Sequence, residues 1–170
     1  MIRHSLLAAL LLTAPVAAFA KDETPAADPA RLKASVVKLV SFGTRHTLSS
    51  ATDPKRGIGA ARNWGAAEFA RIAKDCGDCL TVTRIADRFD GPRAPDGVIV
   101  ENVLAIQKGS GDPAHVILIA GHIDSRVTDP MNFTSDAPGA NDDASGTALV
   151  IEAARLLSKQ QHRATIVYAL

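Results

Sequence analysis

The residues with the most evident chemistry lie in residues 121–146, the stretch GHIDSRVTDPMNFTSDAPGANDDASG. It holds an H-x-D triplet, His122 and Asp124, and a pair of aspartates, Asp142 and Asp143, that follows a Pro-Gly turn. An imidazole nitrogen suits zinc, and a nearby carboxylate can hold the ring in one orientation. A carboxylate can also bridge two metal ions about 3.5–4 Å apart. The stretch therefore has the residue types of a metal site.

Both pairs also have a plain structural explanation. An isolated H-x-D triplet is most often a satisfied histidine beside an unrelated aspartate. Asp142 and Asp143 precede a predicted helix, where N-capping and the helix dipole would account for two acids. On these residues alone, both explanations stay open.

The flanking segments predict where these side chains lie. Residues 115–120 (HVILIA) form an apolar, β-branched run of strand length, and residues 144–158 have helical periodicity. Residues 164–170 (ATIVYAL) predict a further strand. A strand, helix, strand connection of this length implies two parallel strands that are adjacent or nearly so. The candidate ligands then lie at the rim of an open α/β sheet, where ligands bind.

The upstream segments predict a scaffold. A helix opened by an Asp-Pro pair covers residues 28–40, and a second helix covers about residues 58–74. Alternating residues predict strands at 80–89 and 98–107. The short Gly-Ser-Gly-Asp connection from there to the strand at residues 115–120 implies an antiparallel hairpin.

Composition and charge limit the classes of function. The chain has 170 residues, of which 46% are hydrophobic and 22% charged, as in one globular domain. Its formal charge of +1 argues against a nucleic-acid or membrane-surface role. Residues 1–20 predict a secretory signal peptide with an A-x-A cleavage site, and residues 21–27 a polar tail. We expect a periplasmic or secreted bacterial protein that does not span a membrane after cleavage.

Cys76 and Cys79 form a C-x-x-C pair. In an oxidising compartment this spacing favours a structural disulfide over a thioredoxin-like redox pair. Two cysteines are too few for a zinc site of the four-cysteine kind. We therefore expect a small disulfide between the second helix and the strand that follows it.

The segments GHIDS, APGANDDASGTA and IEAARLL, in this order and spacing, resemble the co-catalytic zinc aminopeptidases, the family of secreted bacterial leucyl aminopeptidases and aminopeptidase Y. The resemblance is close over residues 98–170 and looser before them. It implies that His122 is a metal ligand, that Asp124 is the catalytic acid supporting this histidine, and that Asp142 bridges two zinc ions. It also implies a cis peptide bond between Asp142 and Asp143.

The resemblance further implies a three-layer α/β/α fold with a mixed, mostly parallel sheet, of which residues 28–170 form the N-terminal part. The family's Glu-Glu pair, which supplies the general base and a ligand, and a further Asp and His lie beyond these residues. We therefore expect a chain truncated at its C-terminus and inactive alone. The implied full-length enzyme hydrolyses peptides at a free N-terminus, with two zinc ions polarising the carbonyl and activating water.

Other functions remain as alternatives. Glutaminyl cyclases share the fold and the His and Asp ligands, but a residue other than Asp follows their ligand aspartate, so Asp143 favours the peptidase. A non-catalytic binding module of the same fold is a third hypothesis, against which the retention of His122, Asp124 and Asp142 argues. Carboxypeptidase and dipeptidase relatives also stay open.

Overall fold

The computed structural model describes residues 25–170. The predicted signal peptide at residues 1–20 and most of the tail at residues 21–27 lie outside this part of the chain. The helices and strands are, in chain order, α1 (Pro29–Val40), α2 (Gly57–Asp75), β1 (Leu80–Gly91), β2 (Ala94–Gln107), β3 (Val116–Ala120), α3 (Ser145–Leu157) and β4 (Thr165–Ala169). Within residues 25–170, no helix combines the length and apolar character needed to cross a bilayer.

Helix α1 begins as the sequence predicts and is held against α3 by a buried carboxylate. The Asp28 side chain caps the helix by accepting a hydrogen bond from the Ala30 N–H at 2.8 Å. Glu152 of α3 accepts hydrogen bonds from the Asp28 backbone N–H at 3.1 Å and from the Arg31 guanidinium at 3.0 Å. These contacts fix the start of α1 on α3.

The four strands form one mixed sheet in the order β1-β2-β4-β3. Strands β1 and β2 form a long antiparallel hairpin, and β2 is also antiparallel to β4. Strands β3 and β4 are parallel, with Val116 opposite Thr165 and Ala120 opposite Ala169. The α/β class with a mixed sheet and the predicted parallel pairing are thus confirmed. Among these strands, however, only one pairing of three is parallel, because the short β1–β2 turn can join only antiparallel strands.

The predicted hairpin between residues 98–107 and 115–120 is wrong, because β4 lies between those two strands. The cause is the path of the chain after Gln107. The backbone N–H groups of Ser110 and Gly111 donate to the carbonyl oxygens of His162 and Arg163, just before β4 begins. The connection therefore runs across the start of β4 instead of turning back along β2.

Only one face of the sheet is covered within residues 25–170. The three helices and alternate residues of the strands contribute to one core, whose largest fully buried hydrophobic side chains are Tyr168, Phe69, Leu39, Ile58, Ile72, Ile151, Val103 and Val150. On the opposite face, Ile106, Val167 and Leu118 lie side by side in the register, and Leu118 is 64% exposed. The described residues therefore form two layers, and the expected third layer is not among them.

A disulfide joins Cys76 and Cys79 at the turn between α2 and β1. Helix α2 ends at Asp75, and the chain reverses through Gly77 and Asp78, both with a left-handed backbone. The bond lies at the position that the C-x-x-C spacing predicts and closes the turn into β1.

Candidate functional site

The candidate site forms where β3 ends beside the start of α3. Gly121 follows β3, and the backbone of Gly146 in α3 lies directly against it. A Cβ atom added to Gly121 would come within 2.7 Å of the Gly146 carbonyl carbon. The missing side chain of Gly121 thus lets the strand end and the helix approach closely, which brings His122 beside the aspartates that precede α3.

The structure places all three predicted site residues together. The Nδ1 atom of His122 lies 3.0 Å from an Asp124 carboxylate oxygen, and its Nε2 atom lies 3.0 Å from an Asp142 carboxylate oxygen. The His122 and Asp142 side chains are 57% and 87% exposed, so solvent reaches both. Asp124 thus contacts the ring at Nδ1, while Nε2 on the other side of the ring faces the Asp142 carboxylate.

The acids around His122 change its titration in the metal-free protein. Burial alone would lower the pKa of His122, but the hydrogen bond to Asp124 and the negative charges of Asp124, Asp143 and Asp142 outweigh it. The net effect raises the pKa of His122 above its ordinary value of 6.5. The imidazolium form is therefore stabilised, and a metal that binds Nε2 has to displace a proton held by this environment.

The two adjacent aspartates have different surroundings. The Asp143 carboxylate accepts hydrogen bonds from the backbone N–H of His122 at 3.0 Å and of Gly146 at 2.8 Å. The exposed Asp142 carboxylate points to His122 instead. The sequence left two explanations open for the aspartates. Asp143 has the contacts of a helix-capping residue, and Asp142 lies where a metal ligand is expected.

A short irregular turn, Ala140–Ala144, produces this divergence. Asp142 and Asp143 have non-helical backbone angles within it, and the peptide bond between them is cis, as the resemblance implies. Gly139, just before the turn, has φ +47°, and its Cα faces the Ser125 and Arg45 side chains. The chain thus enters α3 through a bend that sends successive carboxylates in different directions.

The donor atoms of His122 and Asp142 are suitable zinc ligands, but they form only part of a complete ligand set. His122 Nε2 and an Asp142 oxygen converge, and both atom types are common zinc ligands. Within residues 25–170, no cluster of three or more His, Cys, Asp or Glu side chains forms a metal-binding group. A catalytic zinc usually has three protein ligands, so His122 and Asp142 supply only part of such a set within these residues.

A cleft of about 430 Å³ adjoins this site, a volume in the range of small-molecule pockets. His122, Asp124 and Asp143 line it together with Arg62 of α2, which is only 6% exposed. The Nε atom of Arg62 is buried and has no hydrogen-bond partner in the described part of the chain. Burial lowers the pKa of this guanidinium.

Sequence reasoning missed the most buried charged residue of the region. Arg45 is fully buried and donates hydrogen bonds to backbone carbonyl oxygens in three segments, including that of Ile123 at 2.7 Å. The only available signal was an arginine inside a predicted loop, SFGTRH, where a solvated side chain is the ordinary expectation. No local pattern distinguishes it from an exposed arginine.

Two other titratable residues near the motif are bonded elsewhere. Glu152 lies two turns into α3 and pairs with Arg31 and Arg155, so it belongs to the α1–α3 contact. The ring of His46 is bonded on both sides, since Nδ1 accepts from the Leu48 N–H at 3.0 Å and Nε2 lies 3.1 Å from the Pro130 carbonyl oxygen. Neither side chain is placed to act with His122.

Comparison with known proteins finds that this part of the chain is similar to one peptidase family. Residues 102–169 match the model of Peptidase family M28. Over 147 residues the chain is 52% identical to a probable zinc metalloprotease of Pyricularia oryzae, covering 83% of this chain and 28% of that protein. It is 50% identical over 141 residues to one of Leptosphaeria maculans, covering 81% of this chain and 32% of that protein. These relatives are fungal, so they support the wider family and not specifically the bacterial leucyl aminopeptidases.

The chain spans about 28–32% of the length of the curated relatives that it matches. Solved structures share its fold. A glutaminyl cyclase of Fimbriiglobus ruber has a TM-score of 0.69 at 19% identity, covering 88% of this chain and 47% of that one. A leucine aminopeptidase precursor of Bacteroides thetaiotaomicron has a TM-score of 0.66 at 22% identity, covering 87% and 48%. At these identities the likeness concerns the fold alone, and it does not separate peptidase from cyclase.

Proposed function

We propose that this chain, whose residues 102–169 match Peptidase family M28, carries part of the active site of a zinc-dependent aminopeptidase. The complete enzyme would remove residues from the free N-terminus of peptides and hold two zinc ions. The observation that carries the proposal is the convergence of His122 Nε2 and an Asp142 oxygen at 3.0 Å, with Asp124 on the other ring nitrogen.

In this proposal the side chains of the chain have distinct tasks. Asp124 would accept a hydrogen bond from the Nδ1–H of His122, which leaves the Nε2 lone pair free to bind a metal. Asp142 would supply carboxylate oxygens for zinc on the exposed side of the ring, beside His122 Nε2. Asp143 joins the end of β3 to the first turn of α3 through its two hydrogen bonds from backbone N–H groups. Bound zinc would polarise the scissile carbonyl and activate water.

The cleft supports a peptide as the substrate. It is lined by backbone and side chains of β2, the β3 end and α2, and its walls include apolar residues beside the candidate ligands. A volume of about 430 Å³ leaves room for a residue or two of peptide next to His122. The preference for a free N-terminus rests on the resemblance to aminopeptidases.

Glutaminyl cyclisation is the second candidate function, because glutaminyl cyclases share the fold and the His and Asp ligands that His122 and Asp142 resemble. The aspartate at position 143 favours the peptidase, since it repeats the Asp-Asp pair of the aminopeptidases. The two activities are separable with one set of substrates. A peptide with N-terminal glutamine yields a pyroglutamyl peptide and ammonia in one case, and free glutamine and a shortened peptide in the other.

The test uses the complete protein that contains this chain, with Asp142→Asn and a matched control, Asp136→Asn. Asp136 is another exposed acid of the same loop but pairs with Arg56. Zinc content and release of aminoacyl p-nitroanilides are measured. We expect about two zinc ions per wild-type chain, chelator-sensitive release, and more than about 100-fold weaker zinc binding in Asp142→Asn alone. Equal zinc binding by both variants would contradict the proposal.

We further propose that the protein is exported, to the periplasm or the medium of a bacterium. The signal-like residues 1–20 and the Cys76–Cys79 disulfide support this, since disulfides persist in oxidising compartments. N-terminal sequencing of protein from the periplasm and the culture medium tests it. We expect a mature N-terminus at Lys21, and a chain retained in the cytoplasm with Met1 or Ile2 at its start would contradict it.

A further inference from the structure

Arg45 is the one arginine of residues 25–170 that is fully buried, and its four side-chain hydrogen bonds all go to backbone carbonyl oxygens. Its Nε donates to the Ile123 carbonyl oxygen at 2.7 Å. One terminal nitrogen donates to the carbonyl oxygens of Leu39 at 3.1 Å and Pro138 at 2.8 Å, and the other to that of Gly139 at 3.1 Å. One side chain thus joins the end of α1, the segment after β3 and the turn before α3.

Arg45 contacts the backbone of both segments that carry the candidate metal ligands His122 and Asp142. Ile123 is the residue between His122 and Asp124, and the turn at Pro138 and Gly139 begins the short path to Asp142. The carbonyl dipoles that Arg45 fixes therefore set the backbone from which His122 and Asp142 project. The backbone of Arg45 adds two further links, since its N–H donates to Ser125 Oγ at 3.1 Å and its carbonyl oxygen accepts from the Ser125 N–H at 3.3 Å.

A residue that only supports the fold would not be expected to bury a charged group. Burying a guanidinium is unfavourable unless its charge is compensated, and none of the side-chain hydrogen bonds of Arg45 goes to a carboxylate. Burial lowers the pKa of Arg45, and the charges of Asp124 and Asp143 partly oppose that shift. An apolar residue of similar size could not donate to the carbonyl oxygens of Ile123, Pro138 and Gly139, so these backbone contacts depend on the guanidinium.

We propose that Arg45 is a positioning residue of the metal site. Through the Ile123 and Gly139 carbonyls it fixes the separation of His122 and Asp142, so that zinc affinity depends on it more strongly than the stability of the fold does. This inference rests on the proposed function, because it requires that the complete protein bind zinc at these two residues.

The experiment compares Arg45→Met and Arg45→Lys with Arg155→Met in the complete protein. Arg155 is the matched control: its side chain is also mostly buried at 14% exposure, and it pairs with Glu152 of α3 and Glu68 of α2. Zinc affinity is measured by competition with a chromogenic chelator, and ligand geometry by the visible spectrum of the cobalt-substituted protein. Urea unfolding of the metal-free proteins gives the stability of each.

We expect Arg45→Met to weaken zinc binding about 10- to 100-fold, the usual cost of losing a partner that orients a ligand, and to alter the cobalt spectrum. Arg45→Lys retains the charge and up to three donors, so it should recover part of the affinity. Arg155→Met should lose stability and retain wild-type affinity and spectrum. This pattern would separate positioning of the ligands from general support of the fold.

Three outcomes would overturn the inference. Wild-type affinity and spectrum in both folded Arg45 variants would show that the ligands do not depend on Arg45. Equally weakened zinc binding in Arg155→Met would show that the effect of the Arg45 variants is a general loss of stability. Unfolding of both Arg45 variants where Arg155→Met stays folded would show that stability depends on Arg45 at least as strongly. If the wild-type protein itself binds no zinc, the proposed function fails instead.

Discussion

The Asp143 carboxylate accepts a hydrogen bond from the backbone N–H of His122 at 3.0 Å, across 21 positions of sequence. Its second oxygen accepts from the N–H of Gly146 in the first turn of α3. One side chain therefore ties the end of β3 to the start of the helix that follows it. The neighbouring Asp142 makes no such backbone contact and faces the imidazole. A pair of identical residues thus divides into a structural and a ligand position.

Replacing Asp143 is expected to lower stability, because two backbone N–H groups lose their acceptor at a half-buried position. Asp143→Ala should lower the free energy of unfolding by about 1–2 kcal/mol, as for loss of a helix N-cap. Asp142→Ala, at an 87% exposed side chain, should change it little. Urea unfolding of the metal-free proteins measures both, and equal losses would contradict the division.

The imidazole of His122 is expected to titrate above 6.5 in the metal-free protein, because Asp124, Asp143 and Asp142 favour the charged ring. A raised folded-state pKa stabilises the fold fully below the unfolded value, and this contribution is lost as pH rises through the folded pKa. NMR titration of the ring protons gives the pKa directly, with His122→Gln for assignment. Asp124→Asn should lower it, and an unchanged pKa in that variant would refute the assignment to Asp124.

Glu152 is expected to make the fold sensitive to acid. Burial would raise its pKa, but hydrogen bonds from Arg31, the Asp28 N–H and Arg155 outweigh this and lower it. A lowered folded-state pKa gives stability that is present above the unfolded value of 4.5 and is lost as pH falls through the folded pKa. Urea unfolding at several pH values should find Glu152→Gln less stable at pH 7 and the deficit shrinking in acid. A deficit that stays constant with pH would contradict the ionic role.

Arg62 is expected to cost stability, because the residue is only 6% exposed and its buried Nε has no hydrogen-bond partner in residues 25–170. Arg62→Met keeps most of the apolar stem and should raise the free energy of unfolding by about 1 kcal/mol or more. Arg84→Met is the matched control, since Arg84 is more exposed and paired with Glu101 and should change stability by less than about 1 kcal/mol. Thermal and urea unfolding decide, and a destabilised Arg62→Met would refute the expectation.

The predicted and observed elements agree where the signal is local. The Asp28 cap and the boundaries of both early helices follow from residues a few positions apart. The parallel pairing of β3 and β4 follows from the length of the connection between them. The hairpin prediction for residues 98–107 and 115–120 failed because hydrogen bonds from Ser110 and Gly111 to a segment more than 50 positions later redirect the chain.

The sequence by itself determined the chemical types at the site, their order along the chain and the strand-helix-strand unit that carries them. These depend on residue identity and short spacings, which periodicity and capping rules describe. Only the tertiary structure decided which aspartate caps α3 and which faces His122. It alone also shows that Arg45 joins the segment of His122 to the turn before Asp142. The physical reason is that those choices are made by contacts such as Arg45 to Gly139, between groups 94 positions apart, where no local pattern records the partner.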